Sequence, residues 1–274
     1  MSSLSGPRSE APAELSNPGL VLLFGHSPNG WKCTYLLEAL KQAGAIPGYT
    51  VCEVYLQGGQ DGEQFKPWFK AINPNSKMPA LLHNRQDKPP LKAFESASIL
   101  LYLARTFDKE FKYHFEDDDL EQSMLDWVFW TQANLGPMQG NANHFHRYSD
   151  ERHQYSTDRF ITETKRLYKV LDDHLAGKDY IVGGKLSLAD MCAQPWVRCH
   201  FWCGIPLEPY PHLQAWHDRI ERLPVVLDAL KVPSQDLVTR IKQDPELETR
   251  IMDGMRKKKE EERAKAAQEK GGRA

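Results

Sequence analysis

Apolar positions follow two different regimes along the chain. Between residues 20 and 106, short apolar runs alternate with stretches of helical period. Leu20–Phe24 reads as a strand, Asn29–Ala43 as a helix and Thr50–Tyr55 as a second, alternating strand. A loop at Gly58–Gly62 and a short helical segment at Phe65–Ala71 follow. Met78–Leu82 reads as a third strand, Leu91–Ala93 as a fourth, and Glu95–Thr106 as an amphipathic helix. The order β-α-β-α-β-β-α describes an α/β unit of about ninety residues.

After residue 118 only helical patterns remain. Asp119–Gly136 carries the stripe Leu120, Met124, Trp127/Val128 and Thr131, with aspartates 117–119 where the helix dipole favours negative charge. Trp127 and Trp130 are expected in the core. Asp158–Ala176 is a second long helix. Ser187-Leu-Ala-Asp190 reads as a capping box opening a helix to about Cys203. Pro211–Arg222 and Val225–Leu230 are shorter helices. Beyond Pro233 the pattern decays into charge, and the basic tetrad Arg256–Lys259 precedes three glutamates. That tail reads as a solvated helix or frayed end, with a localisation or partner-binding role as the alternative. The expected organisation is a disordered leader (1–18), an α/β domain (19–107), a linker (108–118), an all-helical domain (119–232) and a charged extension (233–274).

Composition narrows the class. Hydrophobic residues are 41% of 274, enough for a sizeable core. A formal net charge of −2 offers no bulk attraction to nucleic acid or an anionic membrane. No apolar run reaches the roughly 18 residues of a membrane-spanning helix. The five cysteines (Cys33, Cys52, Cys192, Cys199 and Cys203) are odd in number and irregularly spaced, which argues against a disulfide framework and for a reducing cytoplasm. Cys199-His200-x-x-Cys203 lacks the second ligand pair that zinc wants, so buried thiols and no metal are expected.

Candidate chemistry begins where the first strand runs into the first helix, at Ser27-Pro-Asn-Gly30. A helix N-terminus offers unpaired N–H groups and partial positive charge. Asn29 and Ser27 add side-chain donors. Cys33 has no cysteine partner at Gly30, Ser27 or Leu36, so the turn suits a sulfur brought by another molecule. Lowering a thiol pKa by about two units needs roughly 2.7 kcal/mol, and one charge-assisted hydrogen bond plus a helix terminus supplies it. The plain alternative is that Ser27 and Asn29 only cap the helix. Pro79 belongs at a strand start or edge. A cis Met78–Pro79 bond would turn the Met78 backbone above the sheet. Glu95 and Ser96, ahead of the next helix, suit an amino-acid head group: the carboxylate takes an ammonium, the hydroxyl and amides a carboxylate. The three patches together suit glutathione lying over the sheet.

Six stretches carry a resemblance: Ser27-Pro-Asn-Gly-Trp-Lys32, Asn73-Pro-Asn-Ser-Lys-Met-Pro-Ala-Leu81, Phe94-Glu-Ser-Ala-Ser-Ile-Leu-Leu-Tyr-Leu103, Leu135-Gly-Pro-Met-Gln-Gly140, Arg159-Phe-x-x-Glu-Thr-x-Arg-Leu-Tyr168 and Leu186-Ser-Leu-Ala-Asp190. In order and spacing, over residues 20–230, the chain resembles the cytosolic glutathione transferases. Within them it is similar to the branch of the yeast prion nitrogen regulator, related fungal transferases and bacterial Nu-class enzymes. The resemblance implies an α/β thioredoxin-like N-terminal domain, an all-α C-terminal domain and a homodimer.

It also implies site roles. Asn29, with Ser27, meets the glutathione sulfur, although the family more often has Thr or Ala near position 27. Gln64 contacts the glycyl end, and Lys77, Met78 and Pro79 form the backbone-pairing turn. Glu95 and Ser96 hold the γ-glutamyl group, and Arg159 faces the glutathione site unless it pairs with Glu163. The electrophile pocket is expected near Met138, Asn141, His144, Phe145, Phe201 and Trp202. Asp190 is a folding element. The expected activity is a glutathione S-transferase with glutathione as co-substrate. Cis–trans isomerisation or disulfide reduction on the same site, and a non-catalytic regulator, are the alternatives.

Overall fold

The computed structural model describes residues 6–56, 61–149, 151–254 and 257. The expected loop at Gly58–Gly62 and the tetrad Arg256–Lys259 lie largely outside them. The chain divides into two units, Met1–Ser234 and Gln235–Ala274.

In the first unit β1 (Gly19–Phe24) leads into α1 (Pro28–Gln42) and β2 (Thr50–Glu53), then α2 (Pro67–Lys70), β3 (Ala80–Asn84), β4 (Leu91–Phe94) and α3 (Ser96–Phe107). The sheet order is β2-β1-β3-β4. β1 pairs parallel with β2, Val21 opposite Thr50, and antiparallel with β3, Leu22 opposite Leu81. α1 starts sharply because Ser27 caps it and Pro28 supplies a preset φ. It is buried on every face from Gly30 to Leu40, since it packs against α3 on one side and the helical half on the other. Gly30 lets α1 start close against the end of β1: a Cβ there would sit 2.6 Å from the Gly25 carbonyl and 2.8 Å from the Phe24 ring.

The third strand begins at Ala80, not Met78, because Pro79 has no N–H to give the ladder; the Met78–Pro79 bond is cis. The expected linker is a built turn. Buried Asp108 accepts from the Lys112 and Tyr113 amides and bonds His114 Nδ1.

The helical half contains α4 (Asp118–Trp130), α5 (Gly136–Asn143), α6 (Gln154–His174), α7 (Leu188–Val197), α8 (Pro211–Glu221) and α9 (Pro224–Ala229). The expected helix over 119–136 runs on through π-helical turns at Thr131–Leu135 and His144–Tyr148. α7 stops at Val197 rather than Cys203, and a 3₁₀ turn, His200–Cys203, follows. Its capping box is present: Asp190 Oδ2 accepts from the Ser187 amide and hydroxyl, and Oδ1 from Ile181 N and Trp216 Nε1. Trp127 and Trp130 are half-buried and meet edge to face at 5.1 Å, so they are not the core residues expected.

The leader is also corrected. Residues 6–18 are packed, not disordered: Leu15 lies on the apolar cluster of the sheet, and Arg8 binds the fully buried Glu63 carboxylate. Low apolar content hid this, because beside Leu15 the anchoring is polar: the Arg8–Glu63 ion pair, and Asn84 donating to the Leu15 and Asn17 carbonyls. In the second unit, α10 (Leu237–Gln243) is capped by Asp236, which accepts from the Val238 and Thr239 amides. No helix among the described residues is long and apolar enough to cross a membrane.

Candidate functional site

Asn29, Lys77, Met78, Pro79, Glu95 and Ser96 share the wall of one cavity of about 160 Å³. Asn73 and Asn75, given no site role from the sequence, join them there. The turn is self-supporting. Asn73, 1% exposed, donates from Nδ2 to the Lys77 carbonyl at 2.6 Å, and its Oδ1 accepts from the Asn75 amide at 2.9 Å. That asparagine holds the segment delivering Met78 to the cavity.

Glu95 sits at φ 66°, a left-handed conformation that non-glycine residues avoid at a cost of about 1–3 kcal/mol. Its backbone is bent so that the carboxylate stands on the wall while α3 begins at the next residue. Ser96 is nearly buried and reaches back to Gln132 Oε1 at 3.5 Å.

Asn29 is oriented by a residue the sequence did not offer. Trp196 Nε1 donates to Asn29 Oδ1 at 3.2 Å. The amide oxygen is thereby engaged, which leaves Asn29 its two Nδ2 donors. Trp196 itself sits on two glycines. A Cβ at Gly136 would lie 3.0 Å from Trp196 Nε1, and one at Gly140 3.5 Å from its ring. Gln139 donates to the Trp196 carbonyl at 2.7 Å and accepts from Tyr168 at 3.0 Å. The Leu135-Gly-Pro-Met-Gln-Gly140 stretch is therefore a seat for this indole. Two glycines four apart beside a glutamine were the available signal.

Other expected residues stand elsewhere. Ser27 Oγ accepts from the Gly30 amide at 3.1 Å and is a helix cap off the cavity wall. Gln64 is also off that wall, and its Oε1 is buried with no hydrogen-bond partner among the described residues. Arg159 is not on the wall of the Asn29 cavity. It lines a second one of about 650 Å³ with Met138, Tyr155, Phe160 and Glu163. Its expected alternative partner is taken, since Glu163 binds Arg166 at 2.7 and 2.9 Å.

Of the expected electrophile pocket, Met138 lines the second cavity and Phe145 stacks on Phe160 at 5.5 Å. Exposed His144 meets Phe145 edge-on, and Asn141 folds onto its own helix, donating to the Pro137 carbonyl. Phe201 and Trp202 are in neither cavity. Trp202 is buried beneath the second π turn, where Arg147 covers its ring at 4.3 Å and Tyr148 accepts from its Nε1. The early end of α7 carries both residues away from the wall. Cys33 is fully buried, and burial pushes its thiol far above the ordinary value, against the pull of Lys32.

Two family models match this chain. The glutathione S-transferase N-terminal domain covers residues 24–111 and the glutathione S-transferase C-terminal domain residues 124–224. The chain belongs to the glutathione S-transferase family. Its sheet-bearing and helical halves are the thioredoxin-like and all-α halves of that architecture. Among the relatives of this transferase-family chain is the disulfide-bond oxidoreductase YfcG of Escherichia coli (strain K12). It is 37% identical over 211 residues, 76% of this chain and 93% of that protein. The disulfide-bond oxidoreductase YghU of the same organism is 34% identical over 232 residues, 81% of this chain and 78% of that protein. A solved glutathione transferase homologue from Lodderomyces elongisporus, with two glutathione molecules per subunit, superposes with a TM-score of 0.72 at 30% identity, covering 79% of this chain and 99% of that one.

Proposed function

We propose that the protein is a glutathione-dependent enzyme in which Asn29 Nδ2 stabilises the glutathione thiolate, and that its reaction is disulfide reduction. The observation that carries this reading is the Asn29 amide. Trp196 holds its oxygen, so its N–H groups remain as donors on the same wall as the Met78–Pro79 turn and Glu95/Ser96. A hydrogen bond to a charged acceptor contributes about 1.5–3 kcal/mol, which lowers a thiol pKa by one to two units. Glu95 takes the ligand's α-ammonium, Ser96 and the first amides of α3 its α-carboxylate, and the Met78 backbone pairs with the cysteinyl residue.

Disulfide reduction is favoured over conjugation by the relatives named for it, YfcG and YghU. The burial of all five cysteines leaves glutathione to bring the sulfur in either reaction. The thiolate attacks one sulfur of a substrate disulfide, and the S–S bond breaks. The leaving sulfur departs as a thiolate that takes up a proton. A second glutathione thiolate then attacks the mixed disulfide at the glutathione sulfur, giving glutathione disulfide and the second substrate thiol. Conjugation to a small apolar electrophile is the second reading, supported by Met138 and Phe160 on the larger cavity. Exposed Phe129 on α4, 60% accessible, supports the homodimer, and the five buried thiols support a reducing, cytoplasmic setting.

The test runs hydroxyethyl disulfide with glutathione, coupled to glutathione reductase, beside an aryl halide conjugation assay. Wild type and Cys33→Ala are expected to turn over the disulfide, while Asn29→Ala loses at least tenfold in kcat/KM. Turnover of the aryl halide alone moves the assignment to conjugation. No glutathione binding at millimolar concentration removes the enzymatic reading.

A further inference from the structure

Lys32 lies three residues beyond Asn29 on α1, and its side chain is fully buried. Its ammonium donates to Gln132 Oε1, in the π-helical turn after α4. Among the described residues it makes no ion pair. Its electrostatic neighbours are the Cys192 and Cys33 thiols and the Glu95 carboxylate on the cavity wall. Burying an ammonium without a paired anion is unfavourable, and burial accordingly lowers the Lys32 pKa. A chain that kept only a packing element here would do better with methionine.

The oxygen that Lys32 engages is contested. Gln132 Oε1 is also within reach of Cys192 Sγ at 3.6 Å and Ser96 Oγ at 3.5 Å. A carbonyl oxygen has two lone pairs, and a 3.5 Å contact is at the outer limit of hydrogen bonding. With the ammonium on that oxygen, the Ser96 proton is held only at the outer limit of hydrogen-bond distance. Ser96 is also the hydroxyl on the cavity wall, next to a carboxylate that would repel an incoming one.

We infer that Lys32 is a positioning residue for the γ-glutamyl head of glutathione: its ammonium occupies Gln132 Oε1, which releases the Ser96 hydroxyl to donate to the ligand's α-carboxylate, and its charge offsets that of Glu95. This rests on the glutathione reading above. Lys32 does not touch the ligand and acts through Gln132 and Ser96. The same buried charge serves any glutathione conjugate, because it acts at the end of the ligand away from sulfur.

The test titrates the full chain with glutathione and with S-methylglutathione by calorimetry, for wild type, Lys32→Met and Gln132→Glu, with a thermal melt of each. Lys32→Met is expected to bind both ligands about tenfold more weakly, about 1.4 kcal/mol, while its Tm holds or rises. Gln132→Glu keeps the shape, pairs the ammonium and weakens both ligands likewise, so it decides the matter if Lys32→Met does not fold. Unchanged affinity in the variants overturns the inference. So does weaker binding with a Tm loss of several degrees, the mark of a plain cross-link. So does a loss confined to glutathione, which would place the effect at the thiol. Failure of the wild type to bind is distinct and removes the glutathione reading itself.

Discussion

Trp196 Nε1 donates to Asn29 Oδ1 at 3.2 Å, joining the last turn of a helix in the C-terminal half to the first turn of α1. The bond spans 167 residues of sequence. It fixes which end of the Asn29 amide is free to donate. Trp196→Phe removes that constraint and keeps most of the ring. A lost hydrogen bond of this kind contributes about 0.5–1.5 kcal/mol. The bound glutathione thiol, followed by thiolate absorbance, is expected to titrate up to about one unit higher than in wild type, with kcat/KM down by up to about tenfold. An unchanged thiol titration would mean that Asn29 is oriented by something else.

The glycines under the indole are expected to differ. A Cβ at Gly136 meets Trp196 Nε1 at 3.0 Å, tighter than an ordinary contact, whereas at Gly140 the nearest ring atom is 3.5 Å away. Gly136→Ala should displace the indole and lower glutathione turnover several-fold. Gly140→Ala should be nearly silent, or slightly stabilising through its better helix propensity. Steady-state kinetics and melts of the pair decide it, and equal effects at both positions would show that the indole's seat is not what the glycines provide.

Arg8 binds Glu63 through its backbone N and Nε, both at 2.7 Å, and Nη2 at 2.9 Å, and Tyr55 N adds a bond to the same carboxylate. Burial pushes the Glu63 carboxyl up, but the Arg8 and Tyr55 bonds outweigh it and hold it below its ordinary 4.5. Its stabilising effect is therefore present above that value and lost as pH falls through the depressed one. In Arg8→Ala the burial and the two amide bonds remain but the guanidinium is gone, so the carboxyl titrates higher than in wild type and the penalty grows with pH. Denaturant unfolding is expected to show a loss of about 3 kcal/mol at pH 7 that shrinks below pH 4. A pH-independent loss would mean that packing, not charge, makes the contact.

The cysteines should be silent in the native protein. All five are buried, and burial pushes Cys52 and Cys203 up to about 11. An aromatic disulfide reagent is expected to label none of them quickly until denaturant is added. Cys33→Ala should cost about 1 kcal/mol of stability and leave glutathione turnover unchanged. Rapid labelling of Cys33 in the native state would contradict the borrowed-thiol chemistry.

Local chemistry was legible from the chain alone. Ser27 and Pro28 announced where α1 begins, Ser187 and Asp190 where α7 begins, and the proline at 79 marked the edge of a strand. These signals act over a few residues, so spacing suffices to read them. Residues 6–18 misled for the same reason: the local composition is polar, and the stabilising partner of Arg8 is 55 residues away.

The sequence by itself determined the two regimes of hydrophobic period, the turn at Asn29, and the placing of Glu95 and Ser96 where α3 begins. Only the tertiary structure decided how those pieces are aimed. Trp196 reaches Asn29, Gln132 lies between Lys32 and Ser96, and Arg159 lines a different cavity from the one it was assigned. Orientation depends on partners brought together by packing α1 between α3 and the helical half, and no periodicity within one segment encodes which side chain of a distant helix will meet it. Ser27 Oγ accepts the Gly30 amide because both lie in one turn; Asn29 points as it does because an indole from the far half of the chain holds its oxygen.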